Sequence, residues 1–163
     1  MSCADDPVRQ ATVADAEAFC RVLCRSITEC CLVDHRNDPT NLAEWLANKT
    51  PENVRDWIGA DGNYSVVAEF DGSIVGVAML FPSGTLALCY LLPEVRFRGL
   101  GKALLIAIEL EARRRGLKRI DLESTRTAHA FYLRNGYGDC GAANVRFGSE
   151  GFPMTKSLDN PVE

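Results

Sequence analysis

The sequence has few histidines, no Cys-x-x-Cys pair and no long apolar run. His35 and His129 are its only two histidines, and its seven cysteines lack the spacing typical of zinc ligands. We therefore expect no metal. An odd cysteine count without a secretory signal favours reduced thiols in a cytoplasmic protein. Cys20, Cys24 and Cys31 could share one helix face and bind a metal, but buried cysteines acting as small apolar side chains are far commoner.

Charge and hydropathy argue against two classes of partner. The 18 basic and 22 acidic residues give a net charge of −4, which argues against a general nucleic-acid surface. No apolar run approaches the ~18 residues of a membrane span, and the acidic first ten residues do not resemble a signal peptide. We therefore expect no nucleic acid and no membrane as partner. The length and the 47% of hydrophobic residues suit a single domain over residues 1–163.

The apolar periodicity predicts strands and helices in a mixed order. The predicted elements are a strand over 8–11, helices over 12–31, within 35–49 and over 50–58, a hairpin over 64–81, a strand over 85–92, a helix over 99–115, a strand over 117–125, a short helix within 127–137 that Asn135-Gly136 stops, and a last strand over 152–158. This order predicts an α/β fold in which helices pack on one mixed sheet.

The stretch EVRFRGLGKALL carries the densest chemistry of the chain. Arg96 and Arg98 precede Gly99 and Gly101, and a helical apolar pattern starts at once. A helix N-terminus with bare backbone and positive charge suits an anion, and a side chain on either glycine would occupy the space of a phosphate. The Rossmann spacing fails at Leu104, and the Walker spacing fails at positions 96 and 103. The alternative is a strand-to-helix turn with solvated arginines.

Two motifs together resemble those of the GNAT superfamily of acyl-CoA-dependent N-acyltransferases. The R-x-x-G-x-G run from Arg96 resembles the family loop that binds the coenzyme A pyrophosphate. The A-x-x-F-Y-x-x-x-G-Y run from Ala128 resembles the family's second segment, which contains Tyr132. The family often has Asn seven residues before this tyrosine, where Thr125 stands here. The resemblance is detailed over residues 85–140.

The resemblance implies a fold and a division of the chain. We expect a single mixed, mostly antiparallel sheet with splayed central parallel strands and flanking helices. The splayed strands would be TLALCYLL and RIDLEST, with the thioester in the gap between them. The pantetheine arm would add itself like a strand beside residues 89–92. Residues 85–140 would form the acetyl-CoA core, and residues 12–60 the acceptor site.

The resemblance also implies the residues that bind and use the coenzyme. Acetyl-CoA would be the co-substrate and a primary amine of a small molecule or protein the acceptor. The expected coenzyme-binding residues are Leu91, Leu92, Arg96, Phe97, Arg98, Gly99, Leu100, Gly101, Lys102, Ala103, Thr125, Ala128, Phe131 and Tyr132. A backbone N–H near Leu91 or Leu92 would stabilise the oxyanion. Tyr132 would be the general acid, since a phenol with a pKa of about 10 keeps its proton at neutral pH. The alternative for Tyr132 is an ordinary core aromatic.

The general base and the acceptor are less defined by sequence. Glu123, His35 and Glu69 are the candidate bases, and water is the alternative. Three acidic residues of the first third could attract a cationic amine or could simply be solvated: Asp34, Asp38 and Glu44. A non-catalytic acyl-CoA sensor is the alternative function, and a nucleotide-phosphate binder is weakened by both failed glycine patterns. Exposed edge strands make a homodimer a further expectation.

Overall fold

The computed structural model describes residues 6–146 and 149–158. The helices are α1 Ala16–Cys30, α2 Leu32–His35, α3 Pro39–Leu46, α4 Pro51–Gly59, α5 Leu100–Arg114 and α6 His129–Arg134. The strands are β1 Val8–Gln10, β2 Tyr64–Phe70, β3 Ser73–Leu80, β4 Leu86–Leu91, β5 Arg119–Ser124, β6 Gly138–Asp139, β7 Asn144–Arg146 and β8 Ser149–Ser157. Among these helices, none is long and apolar enough to cross a membrane.

Capping residues determine where two of the early helices begin. The Asp38 carboxylate accepts from the backbone N–H of Thr40 (2.8 Å) at the start of α3. The Thr50 hydroxyl accepts from the N–H of Asn53 (3.1 Å) at the start of α4, and a proline occupies the first turn of both helices. Asp38 therefore caps a helix. The expectation that its carboxylate attracts a cationic amine is not supported.

The strands form two antiparallel ladders that meet at β4 and β5. The first ladder runs β1-β2-β3-β4, and the second runs β5-β8-β6 with β7 paired to β8. β4 and β5 are parallel and are joined at one bridge, Thr85 to Asp121, where the Asp121 N–H donates to the Gly84 carbonyl (3.1 Å). Beyond this bridge no further β4–β5 pairing occurs in the described part of the chain. The predicted splayed parallel strands are confirmed, whereas β6 and β7 were not predicted.

Helices cover both faces of the first ladder. Seven consecutive β3 residues, Ile74 to Leu80, are buried, and consecutive strand side chains point to opposite faces. α1 packs on β3 and β4, and α5 packs on β2, β3 and β4. At Gly76 an added Cβ would lie 2.6 Å from Leu91 and 3.2 Å from Leu104, so the glycine lets the α5 face close tightly. α5 is thereby held firmly against β4.

A buried carboxylate joins α5 to the second ladder. Glu109 on α5 accepts from the Tyr137 hydroxyl (3.0 Å) and from Lys156 Nζ on β8 (3.0 Å). Lys156 Nζ also donates to the carbonyl of Asn135, directly after α6 (3.0 Å). The burial of Tyr137 and the neighbouring Glu109 carboxylate raise the pKa of the phenol, so it remains a donor. These bonds set the position of the segment that follows α6.

Glu109→Ala is expected to lower the free energy of unfolding by about 3 kcal/mol, because it leaves Lys156 and Tyr137 without their buried acceptor. Urea unfolding measures this loss. Glu29→Ala is the matched control, since Glu29 pairs with Arg25 on the exposed surface of α1 and should barely shift the midpoint. Equal effects of the two substitutions would contradict a structural role for the buried carboxylate.

Candidate active site

The backbone of β4 turns polar groups into the gap between the two ladders. The Leu92 N–H donates to the Val75 carbonyl (2.8 Å), and the same register pairs Tyr90 with Val77. Hydrogen-bonded pairs alternate along an antiparallel ladder, so Cys89 and Leu91 direct their N–H and C=O groups away from β3 and into the gap. Leu91 is therefore available as the oxyanion donor. The Leu92 N–H is not available, because it already donates to the Val75 carbonyl. The expectation that Leu92 could serve as the oxyanion donor is therefore wrong.

A cavity of about 700 Å³ lies against β4, the start of α5 and the segment from β5 to α6. The expected coenzyme residues that line it are Leu91, Arg96, Phe97, Gly99, Gly101, Lys102, Thr125, Ala128, Phe131 and Tyr132. The expected residues that do not line it are Leu92, Arg98, Leu100 and Ala103. Its wall also contains side chains that sequence reasoning missed: Ser26, Cys30, Cys31, Thr127, Ala130, Arg134 and Asn135. The missed residues of α1 carry no motif that could have marked them.

The start of α5 is built to bind an anion. Gly99 precedes the helix with φ +83°, and the first helical bond runs from the Ala103 N–H to the Gly99 carbonyl (3.1 Å). The N–H groups of residues 100–102 therefore have no acceptor within the helix, and the positive end of the helix dipole lies with them. Arg96 and Lys102 add positive charge to the same wall. This arrangement fits a pyrophosphate.

The two glycines of the loop serve different purposes. An added Cβ at Gly99 would meet nothing within 4 Å, although its positive φ would strain it. An added Cβ at Gly101 would lie 3.0 Å from Phe131 Cζ and 3.5 Å from Leu91 Cδ1. An added Cβ at Gly101 would therefore first meet the aromatic wall of the cavity. Gly101 lets α6 approach α5.

The side chains of Arg96 and Phe97 lie on the cavity side of the loop, whereas that of Arg98 does not. Phe97 has φ +66°, a conformation that bulky residues rarely adopt and that costs on the order of 1–3 kcal/mol. Its side chain is 87% exposed, and the Arg96 guanidinium lies 4.9 Å from its ring centroid. Arg98 instead lies 5.4 Å from the ring centroid of Phe70. Arg98 thus packs on the hairpin side of the loop, outside the cavity.

Tyr132 lines the cavity, and its phenol has a raised pKa. Its side chain is buried, and its ring lies 5.6 Å from that of Tyr137 and 5.3 Å from that of Phe131. Burial above all, and then the neighbouring Cys89 and Tyr90, raise its pKa well above the usual value for a phenol. Burial also raises the pKa of the Cys89 thiol to about 12. Tyr132 is therefore a neutral donor at physiological pH.

A buried carboxylate from α2 holds the loop that leads into α6. Asp34 accepts from the Arg126 N–H (2.6 Å), the Thr127 hydroxyl (2.5 Å) and the Thr127 N–H (3.4 Å). The Thr125 hydroxyl accepts from the Ala128 N–H (3.0 Å) in the same loop. Asp34 therefore ties the first third of the chain to the coenzyme wall, and it does not present its charge to an amine as the sequence suggested.

A second cavity of about 430 Å³ opens on the gap. Four aromatic side chains line it: Trp45, Trp57, Phe81 and Tyr90. The two cavities share six lining residues, which lie on β4 and at the end of β5: Leu86, Ala87, Leu88, Tyr90, Glu123 and Thr125. The two cavities therefore adjoin at the splayed strands, and a molecule bound in one could contact a molecule bound in the other.

The three candidate bases lie in different surroundings, and only one of them lines either of the two cavities. Glu123 lies where the cavities meet, and its carboxylate accepts from Asn144 Nδ2 (2.8 Å). His35 is fully buried with Nε2 3.1 Å from the Ile27 carbonyl oxygen, and it lines neither cavity. Glu69 pairs with Arg9 (3.2 Å) on the edge of the first ladder. Glu123 is the candidate that the geometry retains.

The six cysteines that the structure describes are free thiols. Cys20 and Cys24 lie 3.9 Å apart, sulfur to sulfur, and both donate to the Lys49 carbonyl (3.2 and 3.6 Å). Burial raises the pKa of Cys31 to about 12, as expected for an inert buried thiol. Over residues 6–146 and 149–158, no group of three or more His, Cys, Asp or Glu side chains is arranged to hold a metal ion.

Comparison with known proteins agrees with the motifs. A family model described as an acetyltransferase (GNAT) domain matches residues 32–158. Amino-acid acetyltransferases of Azotobacter vinelandii and Ralstonia nicotianae are 43% and 39% identical to the chain over 78 and 80 residues. These segments are 45% and 46% of this chain but only 18% and 17% of those relatives, so the chain spans less than a fifth of their length.

Solved structures share the fold. A GCN5-related N-acetyltransferase from Rhodopseudomonas palustris has a TM-score of 0.82 at 22% identity, covering 96% of this chain and 98% of its own. The PaiA N-acetyltransferase from Thermoplasma acidophilum, solved in complex with coenzyme A, has a TM-score of 0.77 at 21% identity over 92% of this chain and 97% of its own. At such identities the likeness shows the fold alone.

Gly101→Ala is expected to weaken coenzyme A binding at least fivefold. Overpacking of this kind costs about 1–3 kcal/mol, and the loop meets it by displacing Phe131 into the cavity. Titration calorimetry with coenzyme A measures the change. Gly138→Ala is the control, because a Cβ there meets nothing within 4 Å and no positive φ is involved. Unchanged affinity in Gly101→Ala would contradict the assignment of this cavity to the coenzyme.

Proposed function

Because the chain belongs to the GNAT acetyltransferase family, we propose that it transfers the acetyl group of acetyl-CoA directly to a primary amine of a small molecule or protein. The observation that carries the proposal is the gap beyond the Thr85–Asp121 bridge, with a cavity on either side and six residues common to both. Such a gap lets donor and acceptor meet without a covalent enzyme intermediate.

The chain's own groups can hold the donor along its length. The N–H groups of residues 100–102, with Arg96 and Lys102, suit the pyrophosphate. The amides of the pantetheine arm suit the N–H and C=O groups of Cys89 and the C=O group of Leu91, which face the gap, in the manner of an added strand. This backbone recognition would bring the thioester to the splayed strands, where the two cavities adjoin.

The chemistry then needs an oxyanion donor and three proton transfers, two from the nitrogen of the acceptor and one to the leaving sulfur. The Leu91 N–H would stabilise the oxyanion as the amine attacks. Glu123, directly or through water, would take the proton that the ammonium must lose before attack. The carbon–sulfur bond breaks as the tetrahedral intermediate collapses, and Tyr132 would give its proton to the leaving thiolate. The nitrogen loses its second proton as the amide forms, and that proton would return to the Tyr132 phenolate through water. The raised pKa of Tyr132 supports this role, since its phenol stays protonated wherever the amine is reactive.

The aromatic cavity suggests the form of the acceptor. Trp45, Trp57, Phe81 and Tyr90 offer apolar surface, and the Glu123 carboxylate stands at the end of the cavity that faces the coenzyme. An amine with an apolar body would bury that body among the rings and present its nitrogen to the gap. We therefore propose that amines with apolar substituents are favoured acceptors.

Tyr132→Phe is expected to lower kcat about 10²-fold, the lower end of what general acids contribute, because a thiolate is already a fair leaving group. The ring and its packing remain, so the affinity for acetyl-CoA and the melting temperature should change little. The measurement is kcat by release of free coenzyme A, together with calorimetry and thermal unfolding.

Tyr137→Phe is the matched control for that substitution. It removes the hydroxyl of the neighbouring ring, which donates to Glu109, and should lower stability while preserving kcat per folded molecule. A near wild-type kcat for Tyr132→Phe would return Tyr132 to the status of a core aromatic.

Acceptor preference can be tested with amines of increasing apolar size. Across ethylamine, butylamine and hexylamine, kcat/KM should rise about fourfold per methylene, from ~0.8 kcal/mol per buried methylene. Phe81→Ala removes a half-exposed ring from the cavity wall and should flatten this dependence without altering acetyl-CoA affinity. A flat dependence in the wild-type protein would refute the apolar acceptor.

A further inference from the structure

Phe97 combines two features that a surface loop does not need. It is the most exposed large apolar side chain among the described residues, at 87%, and it has φ +66°. Over residues 6–146 and 149–158, the other non-glycine residues with positive φ are Arg36, Asn37 and Asp71, all polar. Glycine at position 97 would remove both the strain and the exposed ring. Strained residues that persist cluster at ligand sites, so this loop has a reason to present an aromatic ring.

The surroundings of the ring indicate what it meets. Phe97 lines the coenzyme cavity and lies two residues before Gly99, where the anion site begins. The Arg96 guanidinium, 4.9 Å from the ring centroid, stacks on the ring, and the high exposure leaves most of the remaining ring surface open. A flat, electron-rich group is the complement of an open aromatic face backed by a cation.

We propose that Phe97 is the stacking platform for the adenine base of acetyl-CoA. This inference rests on the proposed function, since it takes the coenzyme as the ligand. The adenosine is bonded directly to the pyrophosphate, so a pyrophosphate at residues 100–102 puts the base within reach of the outer end of the cavity. There Phe97 would lie between the base and Arg96. Stacking on the base would offset the free-energy cost of the strained backbone at Phe97.

The test uses three probes that divide the coenzyme. Coenzyme A carries all parts, 4′-phosphopantetheine lacks the adenosine, and adenosine 3′,5′-bisphosphate lacks the pantetheine. Phe97→Leu keeps the Cβ and the apolar bulk but removes the aromatic face. Base stacking on an aromatic side chain is typically worth about tenfold in affinity. Phe97→Leu should therefore bind coenzyme A and the bisphosphate about tenfold more weakly by calorimetry, while phosphopantetheine binding stays within about twofold.

Further variants separate stacking from loop rigidity. Phe97→Trp should restore wild-type affinity for coenzyme A. Phe97→Gly should lose it as Phe97→Leu does, with a melting temperature equal to or above that of the wild type, because the strain is relieved. Asp71→Gly relieves the same kind of backbone conformation in the β2–β3 turn, which lines neither cavity, and should leave all three affinities unchanged.

The outcomes distinguish this inference from the proposed function. Equal losses for all three probes in Phe97→Leu, or no loss for coenzyme A, would overturn the stacking role while leaving the transferase intact. A change of oligomeric state by light scattering in Phe97→Leu, with unchanged affinities, would assign the ring to contact with a second copy of the chain instead. Failure of the wild-type protein to bind either coenzyme A or phosphopantetheine would reject the proposed function itself.

Discussion

The interruption of hydrogen bonding between β4 and β5 is the constraint on which the site depends. After the bridge from Thr85 to Asp121, the described strands diverge, and the polar backbone of Cys89 and Leu91 faces a gap instead of a neighbouring strand. The free edge of β4 is therefore suited to pair with another extended, amide-bearing molecule, and the proposed function assigns this place to the pantetheine arm. The same opening puts the two cavities in contact.

Two buried carboxylates keep the halves of the molecule in register around the gap. Asp34 ties α2 to the loop before α6, and Glu109 ties α5 to Tyr137 and to β8. Each satisfies several donors at once, and each joins segments that belong to different ladders or helices. Beyond the single bridge the two ladders share no backbone hydrogen bonds in the described part of the chain, so these buried side-chain bonds supply cross-links between the segments that border the gap.

Sequence predicted the features that short segments determine. The hairpin, the capped helices, the R-x-x-G-x-G loop and the segment around Tyr132 each depend on neighbours within a few residues. Features set by distant contacts were missed. Nothing local distinguishes Asp34 from a solvated carboxylate, because its partners lie about ninety residues away at Arg126 and Thr127. Whether the N–H of Leu91 or that of Leu92 faces the gap depends on the register between β4 and β3. A continuous run of apolar residues does not reveal that register.

The proposed function gives the two cavities different means of recognition. On the proposed function, the coenzyme would be held largely by backbone groups of β4 and α5, which persist under most side-chain substitutions. The acceptor, by contrast, would meet side chains such as Trp45, Trp57 and Phe81, contributed by α3, α4 and the loop after β3. Substitutions there change the cavity without disturbing the gap. The chemistry is therefore constrained by the sheet, while the acceptor is free to diverge with the helices that precede it.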